Sequence, residues 1–350
     1  MAIRSPLLLV LLTAFLATAP AAGGEAAEVR SAPTAVAPVT RTKTVETAPM
    51  KIDRIYRSMT GPYELVDLDA SDMDWITAIR TEVVEEGQGS SMGGEFFCHS
   101  QLQLTTGMRL TVNATGTEEV RLPEGFAVPV GQILSALPAE SRSVRFLGMV
   151  LNNNFPTIDR QARIRATVEY LRDEDLGSLP PPKRLYPFHV TMYVEDLALY
   201  QPPEDEPQPH EDVTTHCALV AGQQTHWYVS PGPQLTRRPV RGLVPVESTI
   251  HHIAAHVHNH GEYVRLTDVT EGKVLWQADV EYEKDRRQIL NISVYSSAEG
   301  FPVYPDHEYE IEAFYNNTTD ADVDAMAALY MYFHPKDDRA LFPGRGVVGP

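Results

Sequence analysis

The chain contains little cysteine and little positive charge. Only two of its 350 residues are cysteines, Cys98 and Cys217, which excludes a disulfide-dense small scaffold and permits one bridge at most. Its 29 Lys and Arg residues are outnumbered by 47 Asp and Glu residues, giving a formal net charge of -18. Nucleic acids and anionic membranes bind basic surfaces, so we expect no nucleic acid and no membrane as a partner.

Long apolar runs are also lacking. The run over residues 7–16 is the main apolar stretch, and it is far shorter than the ~20 residues that span a membrane. Arg4 precedes it and small residues follow it, a pattern typical of a signal peptide over residues 1–22. We therefore expect a secreted or periplasmic protein. Residues 23–50, rich in Ala, Pro, Thr and Val without a period, are predicted to be a disordered leader.

No long segment has a helical period, and only residues 133–137 suggest a short turn. Hydrophobic residues make up 43% of the chain, enough for a packed core. Short alternating or apolar segments punctuated by Gly, Pro and Asn instead predict many strands, and hence a β-sandwich or jelly roll. These segments are residues 75–84, 96–104, 109–112, 144–151, 164–171, 225–229, 249–260, 263–266, 273–277, 289–295, 309–315 and 326–333.

A Pro-rich, acidic stretch over residues 201–212 is the predicted linker between two domains. The first domain would cover residues 51–200 and the second residues 213–336, with a charged, Gly-rich tail over residues 337–350.

The histidines are unevenly distributed, since ten of the 12 fall between His210 and His334. They are densest in residues 250–261 (IHHIAAHVHNHG), where a strand would place alternate side chains on one face. We predict that this face carries His252, His256, His258 and His260, and that the opposite face packs on the core. An H-x-H pair can converge on one metal ion, so His256 and His258 are the principal candidate ligands.

Five other histidines are assigned no role in metal binding. We interpret His251, on the opposite face, as structural, and the scattered histidines as structural or exposed. The scattered ones are His189, His210, His216 and His226.

Two candidates could supply a third ligand. Met326 lies on a predicted strand, and its soft thioether together with two imidazoles would favour copper. Glu262 forms the pattern H-x-H-x-x-x-E, which opens a cupin metal motif and would favour iron, manganese or zinc. His260 and Glu262 are therefore alternates to the set of His256, His258 and Met326.

Several segments resemble the copper type II, ascorbate-dependent monooxygenases, which include peptidylglycine α-hydroxylating monooxygenase and dopamine β-monooxygenase. The segment HVHNHG from His256 fits the family pattern H-x-H-x-x-G, and Met326 followed by Leu329 and Tyr330 fits its methionine strand. Weaker similarities are residues 311–318 (IEAFYNNT), 230–232 (SPG) and 121–125 (RLPEG). The resemblance covers roughly residues 95–335.

The resemblance implies an all-β fold of two antiparallel jelly-roll β-sandwich domains. It also implies a copper held by His256, His258 and Met326 that hydroxylates a C–H bond with dioxygen, using ascorbate or another reductant. Tyr330 matches a substrate-contacting tyrosine of the peptide-acting enzymes. The substrate would be a small molecule or a peptide.

The family's second, electron-transferring copper is doubtful in this chain. Its His-His pair reads Cys98-His99 here, which leaves His99 as a vestigial ligand. The arginine that grips a peptide carboxylate in the family is replaced by Ala254. The alternatives to a copper monooxygenase are a non-catalytic copper-binding module, a cupin-like metalloenzyme using Glu262, and a structural β-sandwich without a metal.

Overall fold

The computed structural model describes residues 38–56, 60–194, 225–240 and 242–341. These described residues belong to one compact unit. The strands of its first part are β1 Arg41–Glu46, β2 Met50–Ile52, β3 Tyr63–Leu68, β4 Trp75–Glu85, β5 Phe97–Leu104, β6 Arg109–Ala114, β7 Glu119–Arg121, β8 Phe126–Ala127, β9 Val144–Val150, β10 Arg160–Leu171, β11 Lys183–Arg184 and β12 Tyr186–Thr191.

The second part is also built from strands. They are β13 Trp227–Val229, β14 Gly232–Val240, β15 Ser248–Val257, β16 Gly261–Asp268, β17 Lys273–Tyr282, β18 Ile289–Ile292, β19 Tyr295–Val303, β20 Tyr309–Asn317, β21 Val323–Ala325 and β22 Ala327–Pro335. Helical structure consists of α1 Val130–Ala136 and the 3-10 turns Gly94–Phe96, Ala139–Ser141, Asp173–Asp175 and Asp338–Leu341. None of the helices in the described ranges is long and apolar enough to cross a membrane.

Each part forms a sandwich of two sheets. In the first, the sheet β1-β10-β4-β7 packs on the sheet β3-β9-β5-β6. In the second, the sheet β12-β22-β15-β19 packs on β14-β20-β16-β17-β18. The strands within these four sheets pair antiparallel, and the order is largely non-sequential, as in jelly rolls. The prediction of an all-β fold of antiparallel jelly-roll sandwiches is therefore confirmed.

Side-chain alternation explains why these segments form strands. In β10 (RQARIRATVEYL), the small and apolar side chains from Ala162 to Tyr170 are buried at every second position, while the positions between them carry arginines, a threonine and a glutamate. The buried face joins an apolar cluster that runs through both sandwiches. The sandwiches are in close contact at Gly116, whose carbonyl accepts a hydrogen bond from the Ile292 N–H at 2.9 Å.

The predicted disordered leader over residues 23–50 is wrong at its C-terminal end. Strand β1 pairs with β10 along its full length, and Val45 is buried. The first of these residues alternate Arg, Thr, Lys and Thr, so the segment lacks the apolar run by which a strand is usually recognised. Its stability comes instead from pairing with β10 over a long sequence distance.

The predicted linker over residues 201–212 lies outside the described residues, so the division at that point stays a prediction. The first domain was predicted to extend to residue 200. Strand β12 lies within that predicted range but pairs with β22, so it belongs to the second sandwich. The predicted tail begins with the 3-10 turn Asp338–Leu341, where Asp338 accepts a hydrogen bond from Arg184 at 2.6 Å.

Candidate metal centre

Strand β15 presents its histidines as the alternation predicts. Ile253, Ala255 and Val257 pack in the apolar core, while His256 lies on the opposite face of the sheet, paired with Ala328 of β22. A β-bulge at His251 sets this register, and the His251 ring bonds to the Ser297 carbonyl oxygen at 3.0 Å. The structural interpretation of His251 is therefore confirmed.

The prediction is wrong for His260. Strand β15 ends at Val257, and His260 lies in the following turn with a left-handed φ of 74°. Its side chain consequently does not continue the face that carries His256. It lines the larger of the two cavities described below.

Two side chains that sequence reasoning missed stand beside His258. Asp324 lies on β21, which pairs with β13 directly after His226. The Asp324 carboxylate bonds to Nδ1 of His226 at 3.0 Å and to Nδ1 of His258 at 2.9 Å. One ligand atom from each of the three residues lies within 4.8 Å of the others. His226, which the sequence analysis interprets as structural or exposed, is only 3% exposed and belongs to this group.

Met326 lies at the junction of β21 and β22. Extending the β15–β22 register by one residue places Met326 opposite His258, and extending the β13–β21 register by one residue places it opposite His226. Directly paired residues on antiparallel strands present their side chains to the same face. The strand pairing therefore brings the thioether next to two of the imidazoles.

A single phenol fixes the backbone at these positions. The hydroxyl of Tyr315 accepts hydrogen bonds from the N–H groups of His258 and Met326, both at 3.1 Å, and donates one to the Met326 carbonyl at 2.5 Å. The Tyr315 ring also packs edge-on against Trp227, the neighbour of His226. Tyr315 thus holds the segments that carry all three side chains.

These side chains line one small cavity of about 30 Å³ between the sandwiches. The second sandwich contributes His226, His256, His258, Met326 and Tyr330, and the first contributes Cys98, His99, Gln101, Arg109 and Val112. Thr191 of β12 completes the wall. The volume exceeds the ~10–15 Å³ that one water needs, so the cavity has room for an ion. His99 belongs to this cavity, together with the candidate ligands of the second sandwich.

Burial and neighbouring groups shift the pKa values of His256 and Asp324. Burial, reinforced by the nearby imidazoles of His258 and His99, lowers the pKa of His256 well below its usual range. Burial alone would raise the pKa of Asp324, but His226 and His258 bring it well below its usual range. His256 is therefore neutral, the form in which imidazole binds metals, and Asp324 is ionised.

Two imidazole nitrogens in this cavity have unmet bonding needs. Among the described residues, the buried Nδ1 of His256 and Nε2 of His258 have no hydrogen-bond partner. In the neutral ring of His258, an Nδ1–H donated to Asp324 leaves the lone pair on Nε2. Neutral imidazole nitrogens next to a thioether form a donor set suited to copper.

A second cavity of about 440 Å³ adjoins this site. Cys98, His256 and His258 line both cavities, and Asp324 of the His226–His258–Asp324 group lines the larger one. Glu262, the alternate ligand, lines neither cavity and instead pairs with Arg286 at 2.7 Å. The structure therefore does not bring Glu262 to His256 and His258. Cys217 lies outside the described residues, so the structure does not test whether the one permitted bridge joins it to Cys98.

No family model and no curated protein matches the chain. Similar solved structures include the STIV MCP, at 9% identity and a TM-score of 0.39 over 85% of this chain and 97% of that chain. They also include peptide:N-glycanase F, at 10% identity and a TM-score of 0.39 over 85% of this chain and 96% of that one. Similarities this weak carry no argument about the site.

Proposed function

We propose that this chain is a secreted copper protein that hydroxylates a C–H bond of its substrate. His256, His258 and Met326 would hold the metal, and His226 and His99 would stand beside it. The observation that carries the proposal is the small cavity. In it, the thioether of Met326 lies with Nδ1 of His256 and Nε2 of His258, two buried nitrogens that have no hydrogen-bond partner among the described residues. This combination of donors favours copper over hard cations.

Copper at this site would supply one-electron redox chemistry toward dioxygen. Hydroxylation consumes the C–H compound, dioxygen, two electrons and two protons, and yields the alcohol and water. Ascorbate or another two-electron donor would provide the electrons. The protein's own contribution is to keep His256 neutral, so that no proton must leave this ring when the metal binds, and to orient His258 through Asp324.

Metal analysis with matched methionine variants tests the ligand set. Met326→Ile removes the thioether from the cavity, whereas Met331→Ile changes a buried methionine that faces the core. We expect one copper per chain in the unmodified protein. Cu(I) affinity should fall at least about tenfold in Met326→Ile and stay unchanged in Met331→Ile. Equal Cu(I) affinity in both variants would reject the assignment.

Oxygen consumption separates the hydroxylase from a non-catalytic copper-binding module. The adjoining cavity of about 440 Å³ favours the enzyme, because a purely metal-binding protein has no need for a substrate-sized space beside its metal. We expect copper-dependent oxygen uptake with ascorbate that increases when the substrate is added. A copper-loaded protein without such uptake across a broad substrate panel would be the binding module.

A His-His-carboxylate site is a second candidate. Ligand atoms of His226, His258 and Asp324 lie within 4.8 Å of one another, and two imidazoles with a carboxylate suit iron or zinc. In that case Met326→Ile would leave metal content unchanged and Asp324→Ala would abolish it. The purified protein would then retain iron or zinc in preference to copper.

A further inference from the structure

The larger cavity contains polar groups that the proposed metal centre does not use. At its wall, the buried Nε of Arg286 and Nδ1 of His260 have no hydrogen-bond partner among the described residues. Such groups in folded proteins are normally satisfied by a ligand or by ordered water. Two of them in one cavity of about 440 Å³, a size typical of ligand pockets, indicate a binding site.

The surroundings of Arg286 determine what it can bind. Its Nη2 pairs with Glu262 at 2.7 Å, and its guanidinium lies over the Tyr282 ring, 4.3 Å from the centroid. The side chain is therefore held in place, and Glu262 already balances its charge. The Nε–H remains as a directional donor for which a neutral oxygen is a sufficient acceptor.

The rest of the wall excludes strongly charged ligands. Asp285 and Asp322 would repel an anion, and the net charge of -18 adds to this repulsion. Arg286, Arg287 and a metal in the adjoining cavity would repel a cation. Amide and hydroxyl groups make up much of the remaining polar wall, from Asn153, Asn154, Asn259, Thr318 and Thr319. These groups both donate and accept hydrogen bonds.

We infer that this cavity binds an uncharged, polyhydroxylated small molecule, a sugar or polyol, next to the His256–His258 pair. The hydroxyl groups of such a ligand would accept from Arg286 Nε and exchange hydrogen bonds with the asparagines and threonines. The inference rests on the proposed function in one respect, namely that the ligand would be the substrate of the metal centre.

Calorimetric titration of the full chain, with and without copper, tests this inference. The probes are D-glucose, D-galactose, D-mannose and cellobiose, with gluconate as the anionic and glucosamine as the cationic comparison. Arg286→Lys keeps a cation for Glu262 but lacks the Nε–H, and Thr318→Val removes an exposed hydroxyl at little risk to folding. Arg339→Lys, an exposed arginine outside the cavity, is the control.

We expect at least one neutral sugar to bind, with affinity at least about tenfold weaker in Arg286→Lys because a hydrogen bond from a charged donor is lost. Thr318→Val should bind more weakly than the unmodified chain, and Arg339→Lys should not differ from it. Unchanged binding in both cavity variants would overturn the inference, as would tighter binding of gluconate or glucosamine. No heat from any neutral sugar in a copper-loaded protein would overturn this inference alone. Sugar binding in a chain that takes up no copper would overturn only the proposed function.

Discussion

Replacing Asp324 with asparagine should weaken the metal centre without removing a proposed ligand. The carboxylate accepts from Nδ1 of both His226 and His258, at 3.0 and 2.9 Å, and its side chain is only 12% exposed. An asparagine has a single acceptor oxygen and can serve only one of the two imidazoles. Its amide N–H groups would face the other ring and favour the tautomer with a proton on Nε2. That ring could then no longer offer Nε2 to a metal.

The expected loss follows from the role of such a carboxylate. Substituting a group that orients a metal-bound histidine typically costs ~10–100-fold in metal affinity, or ~1.4–2.7 kcal/mol. Asp324 orients two imidazoles, so we expect Asp324→Asn to lie near the upper end, with Cu(I) affinity lowered about 100-fold. The geometry of the remaining donors stays intact, so some copper binding should persist.

Competition with a chromophoric Cu(I) chelator measures this change directly. Asp322→Asn is the matched control, because Asp322 lies two residues away and lines the larger cavity without contacting an imidazole among the described residues. We expect the control to keep the affinity of the unmodified chain. If Asp324→Asn lost less than about threefold, or no more than the control, the carboxylate would not orient the ligands and the reasoning would fail.

Three further predictions concern stability. Tyr315→Phe leaves backbone groups unsatisfied beside the site and should lower the free energy of unfolding by about 1–3 kcal/mol, measured in urea, with weaker Cu(I) binding. Gly116→Ala strains a φ of +80° and meets the isoleucines of β18 at 2.7 Å, so it should cost about 2–4 kcal/mol. Gly107→Ala, at a φ of +85° with open space around the added methyl group, should cost only about 1–2 kcal/mol. Equal losses of stability in the two variants would contradict a steric clash at Gly116. The hydrogen bond to Asp268 raises the pKa of His307. The stabilisation that the protonated ring gives the folded state is therefore complete below its ordinary pKa of 6.5 and is lost as the pH rises through the raised value. The midpoint of thermal unfolding should therefore fall with rising pH more in the unmodified chain than in His307→Gln.

The strands that could be predicted were those whose own sequence carries an apolar pattern. Residues 75–84, 144–151 and 309–315 were predicted as strands, and the structure has strands β4, β9 and β20 there. Strand β14 (GPQLTRRPV) was missed because two prolines and two arginines hide its alternation. It pairs with β20 along its full length, so a neighbouring strand determines its conformation.

The same limit applies to the site. Alternation within residues 252–258 was sufficient to select His256 and His258, because both lie close together in one segment. His226 and Asp324 are 98 positions apart and carry no common pattern. The pairing of β13 with β21 alone brings them together. A lone histidine before a Trp-Tyr-Val strand gives no local signal of its partner.

The position of His99 changes what the resemblance implies. Two separate copper sites would need ligands at two places, with an electron passing between them. Here His99, from the first sandwich, lines the same cavity of about 30 Å³ as His256 and Met326. It is also close enough to help lower the pKa of His256. In the proposed enzyme, the first sandwich would therefore complete the wall of a single centre. Both electrons for hydroxylation would then have to reach that centre from a donor outside the chain. For that reason the choice of reductant would govern turnover more strongly in this protein than in an enzyme with a second copper of its own.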